Sequence, residues 1–240
     1  MAARVVLEVC VETPAGIEAA IEGGADRIEL CAALALGGLT PSASLMAFAG
    51  RAGVPVTALI RPRAGGFGYD RAELQLIADD IARARDAGLA GVTIGAGGPE
   101  GLDIAAMELL TRAAEGLTVT LHRVFDLVED KARALETARA VGVARILTSG
   151  GATSAARGSV TLAALVRQAV GSPGILAAGG IRAENARALL EATGVREVHA
   201  SCGCAAPATA TELAFGFASA NQRMTDPVAV RALRAALDRS

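Results

Sequence analysis

The chain has no tryptophan, one tyrosine, two histidines and a single lysine in 240 residues. With aromatics at only 2%, a surface that stacks nucleobases has too few rings to work with. A formal net charge of −2 leaves no basic stripe for a phosphate backbone either, so no nucleic-acid partner is expected. No apolar run reaches the roughly 18 to 20 uninterrupted residues of a membrane-spanning helix, and no membrane partner is expected. Four cysteines are too few for a disulfide framework. Met1-Ala2-Ala3-Arg4 runs straight into a strand-like segment, without the charged, apolar and cleavage regions of a secretory leader. The expected location is therefore cytoplasmic, where the thiols are free, bind metal or fill small spaces in the core. Lys131 falls within a predicted helix, away from any strand end, which argues against Schiff-base aldolase chemistry. Two histidines exclude a three-histidine zinc site but leave open a mixed Glu and His site for a divalent ion.

What the chain does have is a hydrophobic share of 52%, 28 glycines and 8 prolines. Such a core is built from Ala, Val, Leu and Ile, which suits short buried strands alternating with Ala-rich helices. A short apolar run, a Gly/Pro/Asp break and a segment of helical spacing recur about eight times. The strand candidates are Val5 to Cys10, Arg27 to Cys31, Val56 to Arg61, Gly91 to Gly95, Thr118 to His122, Arg145 to Thr148, Ile175 to Ala178 and Glu197 to Ser201. Helices are expected from about Thr13, Pro41, Asp70, Asp103, Glu129, Ser159, Arg182 and Asp226, several opening on a residue that caps a first turn. Strict alternation with right-handed crossovers predicts an α/β fold, a closed (β/α)8 TIM-type barrel, as one domain over residues 1–240. The rival is an open doubly wound sheet. It lacks its usual marks here, since no G-x-G-x-x-G follows the first strand and no phosphate-loop motif occurs; no nucleotide cofactor is expected. A long loop, 203–225, precedes the last helix and carries Phe215 and Phe217, which suggests a lid or a self-association surface.

Strand parity carries most of the functional signal, because successive side chains face opposite sides. Leu7 and Val9 oppose Glu8 and Cys10; Ile28 and Leu30 oppose Arg27, Glu29 and Cys31; Val198 and Ala200 oppose Glu197, His199 and Ser201. In a barrel the apolar set meets the helices and the polar set points to the axis. Glu8 and Glu29 then need cations, protons or a metal, with Arg27 and Arg61 as candidate partners. A purely structural ion-pair layer would account for the same pattern, but the polar residues crowd the C-terminal strand ends where barrels place their sites.

Arg61-Pro62-Arg63, followed by glycines, has the makings of a bidentate anion clamp with a mobile flap, or of a solvated basic turn. Thr148, Ser149 and Gly150 after the sixth strand and Gly180 after the seventh offer amides of the kind that bind anions, although tight βα turns need glycine as well. His122 and His199 both end strands on the polar face, as general bases or metal ligands. Cys10, Cys31, Cys202 and Cys204 fall on one arc of the rim, because strands eight, one and two are neighbours in a closed barrel. Converging soft thiolates would suit Cu(I); the alternative is that cysteine fills small buried spaces.

Several blocks, taken together, resemble the CutC copper-homeostasis family: Leu7-Glu8-Val9-Cys10-Val11-Glu12, Gly23 to Cys31, Gly37 to Ser42, Ile60 to Arg63, His122-Arg123-Val124-Phe125-Asp126, Arg145 to Gly151, Gly179-Gly180-Ile181 and Glu197 to Ser201. The resemblance implies a cytoplasmic TIM-like barrel that self-associates as a homodimer or higher homo-oligomer and handles copper, with Cu(I) held by the thiols at Cys10 and Cys31. The C-x-C at Cys202 and Cys204 and the Ala-rich segment after it depart from the family pattern. Two functions are therefore in play. One is Cu(I) binding at the rim thiols. The other is a lyase- or isomerase-type enzyme acting on a small anionic, even phosphorylated, metabolite, with Arg61, Arg63 and Arg123 gripping the anion and Glu8, Glu29, His122, His199 and Asp126 moving protons.

Overall fold

A computed structural model describes residues 4–239. Met1 to Ala3, part of the reading of the N-terminus, and Ser240 lie outside the described residues. Eight parallel strands close into a barrel in sequence order: β1 (Val6–Val11), β2 (Arg27–Leu30), β3 (Val56–Leu59), β4 (Gly91–Ile94), β5 (Thr118–Leu121), β6 (Arg145–Thr148), β7 (Gly174–Ala178) and β8 (Glu197–Ala200), with β8 pairing back to β1. Each is followed by a helix: α1 (Pro14–Glu22), α2 (Ala43–Ala49), α3 (Arg71–Asp86), α4 (Ile104–Ala113), α5 (Lys131–Ala140), α6 (Ser159–Gln168), α7 (Ala183–Thr193) and α8 (Pro227–Asp238). No described helix is long and apolar enough to cross a membrane.

The helix starts follow the capping chemistry. Thr13, Ser42, Asp70, Asp103, Asp130 and Asp226 each accept a first-turn amide through the side chain. Helix α6 differs: Gly158 precedes it and no side chain caps it. Several expected strand ends, Cys31, Arg61, Gly95, His122 and Ser201, lie one or two residues past the ladders. The backbone there keeps ladder-like bonds, Cys31 N–H to Val11 O at 2.8 Å and His122 N–H to Ile94 O at 2.9 Å, while the chain already turns outward into the rim loops.

Parity divides the barrel as expected. Leu7, Val9, Ile28, Leu30, Val92, Ile94, Leu121, Ile146 and Val198 join the helix faces in one large apolar layer between sheet and helices. Inside the barrel, Glu8, Arg27, Glu29, Thr57, Thr93 and Thr120 are buried beside two small apolar clusters: Cys10, Cys31 and Leu59 on one side, Leu147, Leu176 and Ala178 on the other.

The segment 203–225 is more ordered than a loop. Gly203–Ala205 pairs antiparallel with Arg223–Thr225, and between them Ala210–Ala214 forms a short helix capped by Thr209. Phe215 and Phe217 stack with ring centroids 5.8 Å apart and are both exposed.

Phe125, in a one-turn helix Val124–Leu127 after β5, is 0% exposed. Phe125→Ala is expected to lower unfolding free energy by about 3–5 kcal/mol through the cavity it leaves, read from urea midpoints at constant m. A loss below about 1 kcal/mol would show that this packing contributes little.

Candidate functional site

Register brings the charges together. Glu8 on β1 stands opposite Arg27 on β2 and His199 on β8, so one carboxylate has a cation on each side. Arg27 Nε donates to Glu8 Oε2, and its Nη2 donates to Glu197 Oε2 at 2.6 Å. Glu8 Oε1 lies 2.8 Å from His199 Nδ1, and His199 Nε2 lies 3.9 Å from Glu29 Oε2. A line Arg27–Glu8–His199–Glu29 thus runs up the inside of the barrel towards its C-terminal mouth.

The environments push these groups apart. Burial opposes ionisation of Glu8, but the hydrogen bond and charge of His199, together with Arg27, outweigh it and hold the carboxyl at about 2. Burial also opposes a charge on His199; the neighbouring Cys10, Glu8 and Glu29 overcome it and keep the imidazole well above its usual range. Glu29 is pushed up, chiefly by burial and then by the Glu8 charge, against the lowering effect of His199.

Donor atoms of Glu8, Glu29 and His199 lie within 4.8 Å of one another, which is metal-ligand spacing. Yet Glu8 is already engaged by Arg27, and both ring nitrogens of His199 face carboxylates. That pattern suits a protonated imidazole between two acids better than a divalent ion.

His122 is the opposite case. Its Nδ1 accepts the Val124 N–H at 3.1 Å, so the proton of the neutral ring sits on Nε2. Burial, with Arg61 nearby, pulls its pKa down to about 3. Phe67 packs on the ring at a centroid distance of 4.6 Å. Gly95 makes the space: a Cβ there would meet His122 Cε1 at 2.6 Å.

A cavity of about 330 Å³ opens above this floor, with Cys10, Glu29, Cys31, Arg61, His122 and His199 in its wall and Arg123 and Arg223 nearer the mouth. Arg61 does not pair with Glu29. Its Nη1 donates to Gly38 O at 3.0 Å and Leu36 O at 3.3 Å, and its Nη2 donates to Gly65 O at 2.8 Å. Arg63 departs from the clamp: it turns outward, ion-pairs with Glu73 and stacks on Tyr69.

The amides after β6 are also engaged. Asp126 accepts from Ser149 N–H at 3.0 Å, Gly151 N–H at 2.9 Å and Thr148 Oγ1 at 2.5 Å, and it pairs with Arg123. The chain's own carboxylate sits where an anionic ligand was expected, so Thr148, Ser149 and Gly151 form an internal cradle. Gly150 N–H itself donates to Thr148 Oγ1. Burial raises the Asp126 carboxyl, but these donors outweigh it and its pKa falls below the ordinary value. Gly180 lies at the β7 rim with a positive φ of 73°, and its carbonyl accepts from Asn185 Nδ2 at 2.8 Å.

Lys131 is closer to a strand end than expected. It opens α5 directly after the Asp126 turn, so its ammonium reaches back to the carbonyls of Asp126 and Val128, beside the β6 loop. It is not among the residues lining the cavity.

All four cysteines are free. Cys10 and Cys31 are buried and line the cavity, whereas Cys204 is exposed on the ribbon. Cys31 Sγ lies 3.5 Å from Glu29 Oε2; burial first, then the Glu29 and Cys10 charges, holds its thiol well above the usual range. Cys202, half-buried, is pushed up to about 12 by burial, Cys10 and Asp226. Parity missed Arg223, which enters the cavity from the ribbon. Nothing in the local sequence predicts that return.

Fold and site define a TIM-type barrel with a charged, thiol-bearing cavity at its C-terminal mouth. The chain belongs to the CutC family, whose sequence profile matches residues 5–204. The CutC-family proteins of Sinorhizobium medicae (strain WSM419) and Caulobacter vibrioides (strain NA1000 / CB15N) are each 50% identical to it. They align over 237 and 240 residues, covering 98% and 97% of this chain and 97% and 98% of those proteins. The crystal structure of CutC from Streptococcus agalactiae, described provisionally as a copper homeostasis protein, is 30% identical with a TM-score of 0.78. It covers 82% of this chain and 98% of that one. N-(5'-phosphoribosyl)anthranilate isomerase from Pyrococcus furiosus, 13% identical with a TM-score of 0.62 over 98% of this chain and 100% of that one, shares the barrel fold.

The two perturbed groups set an acid limit. Between pH 6.5 and about 3 the unfolded chain protonates His122 while the folded one does not, so stability falls as pH drops through that window. Glu8 adds a loss of the same sign between 4.5 and about 2. Glu29, raised above 4.5, acts in the opposite sense. Comparing wild type with His122→Phe from pH 6.5 to 4.5 isolates the histidine: the variant should lose up to about 1.4 kcal/mol less per pH unit. Parallel curves would mean that His122 titrates normally.

Proposed function

We propose that this chain takes up Cu(I) at the C-terminal mouth of the barrel through Cys10 and Cys31. The observation that carries the reading is the placement of these two thiols on β1 and just past the end of neighbouring β2, buried in one cluster with Leu59 and lining the same cavity. Soft sulfur donors suit Cu(I), whereas the Glu8 carboxylate is engaged by Arg27. Two thiolates and one Cu(I) carry a net negative charge, and the imidazolium of His199 beside Cys10 balances it. The thiol of Cys31 is protonated at rest, so copper must displace a proton and affinity rises with pH. Cys202, close to Cys10, is an auxiliary donor; Cys204 faces away from the cavity. The provisional description of the Streptococcus agalactiae relative gives the same direction. Free thiols fit a reducing cytoplasm, and the exposed Phe215–Phe217 stack fits self-association.

Titration of the reduced protein with Cu(I) against a competing chelator tests this. Cys10→Ser with Cys31→Ser should weaken binding at least about 100-fold, two soft ligands being lost at once. Unchanged affinity would remove these ligands from the account.

A second reading is favoured by the Arg27–Glu8–His199–Glu29 line, whose members are driven to opposite protonation states. Such a line suits proton transfer to a small anionic metabolite. Incubation with a mixture of small organic acids in deuterated water should give a mass shift that Glu8→Gln lacks. Absence of any shift would refute proton transfer on this class of substrate.

A further inference from the structure

Arg61 is 7% exposed, yet no carboxylate of the described residues pairs with it. Its terminal nitrogens are held by three carbonyls, Leu36, Gly38 and Gly65, and its backbone N–H donates to Thr40 Oγ1 at 2.9 Å. The guanidinium is thus fixed in place with its charge uncompensated. Its Nε–H has no partner among the described residues, and neither has the Nε2–H of His122. A buried cation without an anion is costly, and two buried donors left unmade add to that cost.

Both side chains line the same cavity wall, and one ring links them: Phe67 packs on the His122 imidazole, and Arg61 Cζ lies 5.0 Å from the centroid of Phe67. Phe67 sits between Gly66 and Gly68 in the 61–68 turn. It lies against the imidazole and partly offsets the Arg61 charge through its π face.

We propose that Arg61 and His122 form a binding subsite for the carboxylate of a small organic acid, with the Phe67 ring as a cover that turns aside when the acid enters. Arg61 supplies the single positive charge and one N–H. His122 supplies a second N–H and no charge, because its Nδ1 is tied to the backbone. Two donors and one charge match one planar carboxylate. A phosphate dianion would ask for more of both. His122 is therefore a hydrogen-bond donor here, and neither a base nor a metal ligand. The subsite uses neither thiol, so it stands or falls apart from copper; it takes from the proton-transfer reading only the expectation of an anionic ligand and is tested on binding rather than turnover.

The probe is oxalate, a planar dicarboxylate, with inorganic phosphate as comparison, on metal-free reduced protein. The imidazole nitrogens are followed by 15N NMR, which two histidines keep simple. Before addition, one ring should stay neutral with its proton on Nε2 down to pH 5. Oxalate should shift that ring's Nε2–H and bind at least about tenfold more weakly to His122→Phe, with His122→Gln recovering part of the loss. Tighter binding of phosphate than oxalate would overturn the carboxylate assignment. Equal oxalate affinity in wild type and in a folded His122→Phe would overturn the subsite.

Discussion

The Arg27–Glu8 pair is the constraint on which the rest of the barrel depends. A closed ring of short strands must fill its own axis, and this chain fills it with carboxylates, guanidinium groups and threonines where many barrels use aliphatic layers. Such an interior persists only if its charges meet opposite charges or aligned carbonyls, as Glu8 meets Arg27 and Arg61 meets Leu36, Gly38 and Gly65. Glu8 lies between Arg27 and His199 because β1 lies between β2 and β8. Once ionised there, it orients the imidazole and keeps it protonated, which in turn sets the field felt by Cys10 and Glu29. Removing Arg27 would leave Glu8 and Glu197 facing each other across the same stretch of wall.

Two histidines at one rim end in opposite states for reasons of local wiring. His199 sits between acids and carries a proton. His122 sits between Phe67, the Val124 amide and the field of Arg61, and stays neutral. Their sequence settings, each on the polar face near the end of an alternating strand, are nearly the same, although His199 lies within β8 and His122 one residue past β5. What separates them is which neighbours the barrel closure supplies.

This difference explains what could be read in advance. Period-two alternation placed Glu8, Glu29, Cys10, Cys31, His122 and His199 on the inner face, since parity is a local property of a strand. Caps placed the helix starts for the same reason. Partnerships were harder: Arg61 faces carbonyls instead of Glu29, and Arg63 turns outward to Glu73, because loop paths decide where a long side chain ends. The glycine-rich turn after β6 reads as an anion cradle, and it is one. The anion is Asp126 of the same chain, more than twenty residues earlier in sequence and adjacent only through strand order. Lys131 reaches the same turn by the same route.

The ribbon of Gly203–Ala205 and Arg223–Thr225 brings Arg223, with Asn221 beside it, back over a cavity whose floor comes from the barrel strands and their rim loops. Most of that ribbon lies beyond the stretch matched to the family. The inner wall and the rim over it are therefore built from different stretches of chain. Selectivity at the doorway can drift by insertion, deletion or charge reversal in one surface excursion, while the proton and thiol arrangement beneath stays intact. Relatives with the same interior and a different overhang would then admit different molecules to the same chemistry.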